Sequence, residues 1–331
     1  MADRKLRVHI ENTRKKAGIH QITRQLWRAA CARPRALARR LEVSEGWDGD
    51  ILEDALVDAV AVIGVPGHRE KLKSRAPRLK WLHAMSAGVD GFQPFDWLPR
   101  GVTFTNNSGA HGVKAEQYMG MAYNLLNSRM AEITANQQHR RWQAVYTPNI
   151  IGKTAVIVGL GDLGGAAAQA AKKLGIRVIG VRRSTQKHRD ADRVVSYRQL
   201  ERVLPQADFV VLAAPLTAET RGMLGAKQLD LLKPAAGVIN IGRGPLLDTR
   251  ALEKRLRSGR LGGAVLDVVD PEPLPEHHSL WHAPNLIITP HVSCDDGERY
   301  IDISLDLWFE NLALFLSGKT LKHRVNPKLG Y

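Results

Sequence analysis

Three polar segments of the chain each follow a short apolar run, and they carry the side chains best suited to chemistry. Arg243 stands between two glycines in VINIGRG, residues 238–244. Asp267, Asp270 and Glu272 lie in LDVVDPEPLP, and His291 lies in ITPHVS. A guanidinium binds anions in a fork, and an imidazole can give or take a proton near neutral pH. Ligands of parallel α/β proteins bind beyond the carboxyl ends of the strands, so these side chains are predicted to line one sheet edge.

A glycine motif earlier in the chain predicts a phosphate-binding turn. The segment TAVIVGLGDLGGAAAQAAKKLGIRVIGV, residues 154–181, reads as strand, turn, alanine-rich helix and second strand. In this setting Gly159 would allow the tight turn, Gly161 the approach of a pyrophosphate, and Gly164 the close packing of helix on strand. The amino end of the helix would offer N–H groups and a positive dipole to the phosphates. The segment therefore predicts a dinucleotide site.

The second strand of this unit ends in IGVRRST, where an acidic residue usually binds the ribose hydroxyls of NAD. Arg182 lies at the expected distance from the glycines, and Arg183, Ser184 and Thr185 follow it. Arginine side chains would pair with a 2′-phosphate, and the hydroxyl groups would add donors. The segment favours NADP(H) as the cofactor, with NAD(H) as the alternative.

The elements that must position these residues form two series of alternating strands and helices. The first series runs from Leu6 to Thr105, and the second from Thr154 to Ile288. Long helices are predicted over Val113–Ile133 and Ile301–Leu316. Alternation of this kind predicts an α/β protein with two parallel-sheet domains, Rossmann-like or flavodoxin-like, and an interdomain cleft. The expected bounds are 1–105 plus 294–331 for a substrate domain and 106–293 for an NAD(P)-binding domain.

Taken together, the motifs resemble the D-isomer-specific 2-hydroxyacid dehydrogenase family. The resemblance rests on VIVGLGDLGG, INIGRGPLLD, LDVVDPEPLP and ITPHVS in the family's order and spacing, and it covers nearly the whole chain. It implies reduction of a 2-keto acid, in which Arg243 holds the carboxylate and polarises the keto oxygen. It further implies that His291 is the proton donor and that Glu272 pairs with its imidazole and orients it.

The same resemblance extends the expected cofactor site. Asp267 would contact the nicotinamide carboxamide, and Thr217 and Thr220 would lie in a loop beside the cofactor. Two departures from the family pattern are Ala213, where many members have histidine, and Cys294, where a smaller residue is common. The full set of expected cofactor contacts is Gly159, Gly161, Asp162, Leu163, Gly164, Arg182, Arg183, Ser184, Ala214, Pro215, Thr220, Ile241, Gly242 and Asp267.

The first domain is expected to bind the rest of the substrate. The segment MSAGVD resembles the family loop whose backbone N–H groups meet the substrate carboxylate, which implies Ser86, Ala87 and Gly88 as contacts. Trp142 resembles an aromatic residue that some glyoxylate/hydroxypyruvate reductases insert into the partner subunit's cleft, and a packed interface tryptophan is the alternative. The family forms homodimers, and the helix over Val113–Ile133 is a candidate for that interface.

Composition and charge set the class of protein. With 331 residues, of which 44% are hydrophobic and 24% charged, the chain is typical of a globular protein of about two domains. Neither a secretory signal at its start nor a membrane span is expected, and two cysteines give no disulfide framework or metal-ligand spacing, so we expect a cytoplasmic protein without a metal. The net charge of +15 favours anionic ligands, but basic runs and interleaved aromatic residues are lacking, so specific nucleic-acid binding is not expected.

Glyoxylate and hydroxypyruvate are the first candidate substrates. Formate dehydrogenase is disfavoured because that branch of the family has Gln at the position of Glu272. A dinucleotide-sensing binding protein, like the family's corepressor branch, is an alternative because that branch keeps the catalytic residues. A basic nucleic-acid binder on the same fold is a third, which a steep salt dependence of DNA binding without dehydrogenase activity would indicate.

Overall fold

The computed structural model describes residues 5–331; the start of the chain, on which the expectation of no secretory signal was based, lies outside the described residues. The described residues form two parallel sheets. The strands are β1 Leu6–Asn12, β2 Leu41–Trp47, β3 Ala61–Ile63, β4 Trp81–His83, β5 Thr103–Thr105, β6 Thr154–Val158, β7 Arg177–Val181, β8 Arg193–Val195, β9 Phe209–Leu212, β10 Gly237–Asn240, β11 Gly263–Leu266 and β12 Leu286–Ile288.

Helices connect most of these strands, as parallel pairing requires. The α-helices are α1 Arg24–Ala32, α2 Arg35–Ala38, α3 Leu52–Asp58, α4 Leu72–Arg75, α5 Gly112–Asn127, α6 Met130–Gln138, α7 Asp162–Lys173, α8 Leu200–Val203, α9 Ala226–Asp230, α10 Thr249–Arg257 and α11 Tyr300–Leu316. Short 3₁₀ turns lie between several of them. The predicted fold class, two parallel-sheet α/β domains, is confirmed.

The chain divides into two compact units. One unit extends to Ala110 and resumes at Asp296–Tyr331, and the other is His111–Asp295. The first unit holds the five-stranded sheet in the order β2-β1-β3-β4-β5, the flavodoxin-like order. Helix α11 packs on this sheet, and the rings of Trp81 and Trp308 stack with centroids 5.1 Å apart. The C-terminal helix thus completes the core of the first unit.

The second unit holds the seven-stranded sheet in the order β12-β11-β10-β9-β6-β7-β8. The order reverses between β6 and β9, which is the topological switch point where dinucleotides bind in such sheets. Strand β6 is buried on both faces: Val156 and Val158 enter one apolar cluster, and Ala155 and Ile157 enter the other. This double burial explains the uninterrupted apolar run TAVIV.

Two elements differ from the sequence-based expectation. The long helix over Val113–Ile133 is two helices, because Ser128 caps α5 and Arg129 takes a left-handed conformation with φ 52°. Strand β8 was not predicted, since its sequence RVV is short and only one of its residues is buried. In the part of the chain that the structure describes, no helix is both long and apolar enough to cross a membrane.

His83, at the end of β4, gives the fold a testable pH dependence. Its Nδ1 lies 2.8 Å from Thr105 Oγ1, and burial, assisted by the nearby His323, lowers the pKa of His83 from 6.5 to about 3. The His83 ring therefore binds a proton below about pH 6.5 in the unfolded chain, whereas in the folded protein it stays neutral down to about pH 3. Stability is unaffected by this group above that pH and falls as the pH drops from about 6.5 toward 3.

We predict that the wild-type protein loses about 2 kcal/mol more of its free energy of unfolding between pH 6.5 and 4.5 than the variant His83→Asn does. Asparagine keeps a polar partner for Thr105 and removes the titrating ring. Urea unfolding at both pH values measures the difference. The comparison uses only the pH-dependent part, so a constant loss of stability in the variant does not affect it. Equal pH dependence of the two proteins would contradict the lowered pKa.

Candidate active site

The glycine motif forms a tight turn between β6 and α7. Gly159 has φ 91°, and a Cβ built on it would lie 2.6 Å from the backbone nitrogen of Ala214 at the end of β9. A Cβ on Gly164 would lie 1.7 Å from the carbonyl oxygen of Gly159, so the helix packs directly on the turn. A Cβ on Gly161 would have no neighbour within 4 Å. The turn is therefore closed on its protein side and open where a phosphate would approach.

The amino end of α7 faces this opening. Gly161 is the N-cap residue and no side chain caps the helix there, while Asp162 and Leu163 form its first turn. Uncapped N–H groups and the dipole of a twelve-residue helix favour an anion at this end. The residues present thus fit the pyrophosphate of a dinucleotide.

The arginine segment follows β7 directly. The backbone N–H of Arg182 donates to the carbonyl of Val195, 3.0 Å away, so the unpredicted strand β8 fixes where this segment begins. Arg183 and Ser184 are exposed. The segment then turns back to α7, since a Cβ on Gly165 would lie 3.4 Å from Nε2 of His188. The basic segment is therefore placed at the edge of the phosphate turn.

The loop after β9 is held by its own hydroxyl groups. Thr220 is buried, and its Oγ1 donates to the carbonyl of Pro215 at 2.7 Å and accepts from the N–H of Thr217 at 2.8 Å. Ala214 is buried against the turn at Gly159. The Thr220 hydroxyl thus stabilises the loop internally, which leaves the backbone of the loop as the part able to contact a cofactor.

Arg243 projects from a turn that a buried asparagine shapes. Ile241 is buried, and the N–H of Gly242 donates to Oδ1 of Asn240 at 3.1 Å, while Nδ2 of Asn240 donates to the carbonyl of Arg243 at 2.9 Å. The guanidinium Nη1 donates to the carbonyl of Gly242 at 2.7 Å. Asn240 is a site residue that the motif analysis missed; the signal for it is a polar residue at the end of an otherwise apolar strand.

Glu272 and His291 form a close pair in the same unit. Nδ1 of His291 lies 2.6 Å from Oε1 of Glu272, and the two side chains are 48% and 41% exposed. A carboxylate can only accept, so Nδ1 carries a proton and Nε2 is the ring nitrogen left to face a substrate. The pair thus has the arrangement of a histidine oriented by a carboxylate.

The sequence offered three acids near this site, and the structure distinguishes two of them. Glu272 meets the imidazole, whereas Asp267 is 2% exposed and lies under the loop that carries His291. Oδ1 of Asp267 accepts from Thr289 Oγ1 and from the N–H groups of Val292 and Ser293. Oδ2 accepts from Ser293 at 3.1 Å and has lone-pair capacity for a second donor.

The predicted substrate loop of the first unit follows β4. Ser86 Oγ donates to the carbonyl of Gly88 at 2.9 Å, and Asn106 Nδ2 donates to the carbonyl of Ala87 at 2.6 Å. The hydroxyl of Tyr300, on α11, donates to the carbonyl of Met85. The loop's carbonyl groups are therefore engaged by its own unit.

Trp142 lies in the non-helical segment 139–153 and is fully exposed. Tyr146 in the same segment is exposed to a similar extent, and Ile151 and Val113 are also largely exposed. Exposed apolar side chains that form a contiguous patch mark interaction sites, so this segment is a candidate contact surface. No group of three or more His, Cys, Asp or Glu side chains within residues 5–331 is arranged to hold a metal ion.

Comparison with known proteins identifies the family. The model of the D-isomer specific 2-hydroxyacid dehydrogenase NAD binding domain matches residues 119–293. The glyoxylate reductase of Aeropyrum pernix is 31% identical over 270 residues, which are 78% of this chain and 79% of that protein. The chain belongs to the D-isomer-specific 2-hydroxyacid dehydrogenase family.

Solved structures of the D-2-hydroxyacid dehydrogenase family agree. The Xanthobacter autotrophicus Py2 protein, in complex with NADPH and MES, superposes with TM-score 0.84 and 27% identity, covering 98% of this chain and 99% of that one. The NADPH-dependent glyoxylate/hydroxypyruvate reductase of Sinorhizobium meliloti, in complex with NADP and sulfate, gives TM-score 0.81 and 27% identity, covering 99% and 100%. The resemblance deduced from the four motifs is confirmed, and the match to the NAD binding domain lies within the second unit.

Proposed function

We propose that the protein reduces a small 2-keto acid, with glyoxylate and hydroxypyruvate as first candidates, to the D-2-hydroxy acid, and prefers NADPH to NADH. The observation that carries the proposal is the His291–Glu272 pair at 2.6 Å, with Arg243 on the turn after the neighbouring strand β10. A proton donor and an anion-binding fork are what the protein must supply for this reaction.

The proposed roles of the residues are as follows, and the geometry of the site supports them. NADPH, when bound, supplies the hydride. Arg243 holds the substrate carboxylate and draws electron density toward the keto oxygen. Nε2 of His291 donates a proton to that oxygen, and the Glu272 carboxylate at Nδ1 keeps the ring oriented and stabilises its positive charge before transfer. In the reverse direction His291 accepts the proton.

Binding of the cofactor is proposed to use the turn at Gly159–Gly164 for the pyrophosphate and the segment at Arg182–Ser184 for a 2′-phosphate. The loop Ala214–Thr220 and the turn at Ile241–Gly242 would border the cofactor, with Oδ2 of Asp267 accepting from the carboxamide. The N–H groups of Ser86, Ala87 and Gly88 would meet the substrate carboxylate. The support is the open backbone at Gly161, the uncapped end of α7 and the basic segment beside it.

The test is steady-state oxidation of NADPH and NADH, side by side, with glyoxylate, hydroxypyruvate, pyruvate and phenylpyruvate. Strong turnover that favours NADPH supports both parts of the proposal. Turnover that favours NADH keeps the reductase and removes the assignment of the arginines. Absence of turnover with either cofactor, together with tight cofactor binding in a titration, would replace the reductase with a dinucleotide-sensing protein.

The arginine assignment has its own prediction. Replacing Arg182 and Arg183 together with Gln is expected to raise KM for NADPH by about 10²-fold, since hydrogen bonds to charged groups contribute about 1.5–3 kcal/mol each. KM for NADH should change by less than about threefold, because that cofactor lacks the phosphate. Arg189→Gln, in the same segment but paired with Asp190, is the matched control and should leave both KM values unchanged. Equal changes for the two cofactors would contradict phosphate binding.

We further propose that the protein is a homodimer and that the exposed segment around Trp142 contacts the partner. The exposed apolar side chains Val113, Trp142, Tyr146 and Ile151 support this, since burying them is favourable. Light scattering of the purified protein should give the mass of two chains. Trp142→Ala should weaken the dimer on dilution, and a monomeric wild-type protein would contradict the proposal.

A further inference from the structure

The loop that carries His291, residues 289–293, is fastened to the end of β11. The carbonyl of Asp267 accepts from the N–H of His291 at 2.9 Å. The carboxylate of Asp267 accepts from the N–H of Val292 at 2.9 Å and of Ser293 at 3.1 Å. A single buried residue thus engages three successive amides of the loop.

This fastening is needed because the loop backbone is not in a relaxed conformation. His291 has φ 55°, in the left-handed region that costs a non-glycine residue roughly 1 kcal/mol or more. The side chains of His291 and Val292 are about half exposed, so packing does little to hold them. Hydrogen bonds to Asp267 therefore hold the loop backbone that places the ring beside Glu272.

Two further hydroxyl groups, of Thr289 and Tyr118, are hydrogen-bonded in series to the carboxylate of Asp267. Thr289 Oγ1 lies 2.7 Å from Oδ1 of Asp267 and 2.7 Å from the hydroxyl oxygen of Tyr118 on α5. A carboxylate cannot donate, so Thr289 donates to Asp267 and Tyr118 donates to Thr289. Burial raises the pKa of Tyr118 to about 12, and the phenol keeps its proton throughout the working range of pH. The two hydrogen bonds, from Tyr118 to Thr289 and from Thr289 to Asp267, therefore keep the same donor and acceptor over this pH range.

We propose that Tyr118 and Thr289 are positioning residues for His291: with Asp267 they form a hydrogen-bonded chain that fixes loop 289–293 and so aims Nε2 of the histidine. The inference rests on the proposed function, in which His291 donates the proton. Tyr118 and Thr289 take no part in the chemistry themselves. They act by holding the carboxylate that holds the loop.

The protein has a natural reporter of how well loop 289–293 is held, the thiol of Cys294. Cys294 follows it directly, with Sγ 3.0 Å from Oγ of Ser293. Burial raises the pKa of Cys294 to about 12, so its partly exposed thiol is protonated and reacts slowly in the native state. The second cysteine, Cys31, lies in the other unit and can be replaced by Ser. The Cys31→Ser protein then reports the loop through the rate at which Ellman's reagent labels Cys294, without any need for turnover.

The experiment compares Thr289→Val with Thr289→Ser in the Cys31→Ser background. Valine has the shape of threonine but lacks the hydroxyl, and serine restores it. We expect Thr289→Val to lower kcat by about 10- to 100-fold, the scale that a displacement of about 1 Å at a catalytic group produces. Labelling of Cys294 should be about tenfold faster or more, since protection depends on how often the loop opens. KM for the keto acid should change little, and Thr289→Ser should behave like the parent protein.

A second pair of variants separates the hydroxyl chain from general stability. Tyr118→Phe should show the same changes as Thr289→Val, in smaller degree. Tyr123→Phe is the matched control, because Tyr123 is a buried tyrosine on the same helix whose hydroxyl donates to the carbonyl of Ala167 instead. It should leave kcat and the labelling rate unchanged, whatever its effect on the melting temperature.

Four results decide the proposal. A loss of kcat together with faster labelling, reversed by serine, supports it. Wild-type kcat in Thr289→Val overturns it, as does a loss of kcat while Cys294 stays protected, because the hydroxyl would then act on the chemistry directly. If the parent protein shows no turnover with any keto acid, the proposed function fails by itself. The labelling rate then still decides whether the chain of hydroxyl groups holds the loop, and unchanged labelling in Thr289→Val overturns it.

Discussion

Replacing His291 with Asn is expected to lower kcat of keto-acid reduction by about 10³-fold, within the range that general acid catalysis contributes. Asparagine suits the backbone here, because it tolerates the left-handed region better than most residues. Its amide nitrogen falls near the place of Nδ1 and can still donate to Glu272. The variant therefore removes the proton at Nε2 with the smallest change to the loop.

Two measurements make the His291 result specific. The equilibrium between keto acid and hydroxy acid is a property of the reactants, so kcat/KM must fall by the same factor in both directions if NADPH and NADP affinities stay the same. Binding of the cofactor should be unchanged, because the phosphate turn lies at the other side of the switch point in the sheet. A variant that keeps more than about a tenth of the wild-type kcat would contradict the assignment, because loss of a general acid costs at least about 10²-fold.

The positions of these candidate catalytic residues could be predicted because the ends of the strands in the second unit are recognisable in the sequence. The strands that precede Arg243, Asp267 and His291 are apolar runs ended by Gly, Asp or Pro, and the parallel pairing of β10, β11 and β12 places their ends at one edge. The glycine turn could also be predicted from the sequence, because only glycine fits at positions 159 and 164, where a Cβ would collide with the backbone. These features depend on local sequence and on the geometry of parallel sheets.

Which acid meets the imidazole could not be predicted from spacing. Asp267, Asp270 and Glu272 all follow β11, and only the resemblance to a known family selected Glu272. The structure shows the physical difference between the acids. Asp267 is buried and accepts hydrogen bonds from backbone amides, whereas Glu272 is exposed on the loop after β11 and bonds to His291. That distinction depends on where the loop turns, which the sequence pattern does not encode.

Contacts between distant parts of the chain account for the rest of what was missed. Tyr118 and Thr289 are 171 residues apart, so no local pattern relates them. Strand β8 is a three-residue edge strand, yet it positions Arg182. The helix predicted over Val113–Ile133 breaks at Arg129 without a Gly or Pro to mark it. In each case contacts with distant parts of the chain determine the local structure, and the local sequence pattern is too short to predict it.

The second large effect is expected at Arg243, where lysine should lower kcat/KM by about 10²- to 10³-fold. Lysine keeps the charge but not the planar fork that binds a carboxylate through two parallel hydrogen bonds. It also lacks the planar group that the bond from Nη1 to the carbonyl of Gly242 orients in this turn. Arg250→Lys, on the exposed first turn of α10, is the matched control and should be neutral.

A comparison of pyruvate with methyl pyruvate assigns the part of this effect that concerns the carboxylate. The wild-type enzyme should prefer the acid strongly, because the ester cannot accept the charged fork. In Arg243→Ala that preference should fall strongly, to the part that the N–H groups of Ser86, Ala87 and Gly88 supply, while the loss common to both substrates measures polarisation of the keto oxygen. Added guanidinium ion should restore part of the activity toward the acid. If Arg243→Ala keeps the wild-type preference for the acid, Arg243 does not hold the carboxylate, and the N–H groups of Ser86, Ala87 and Gly88 are left as its proposed contacts.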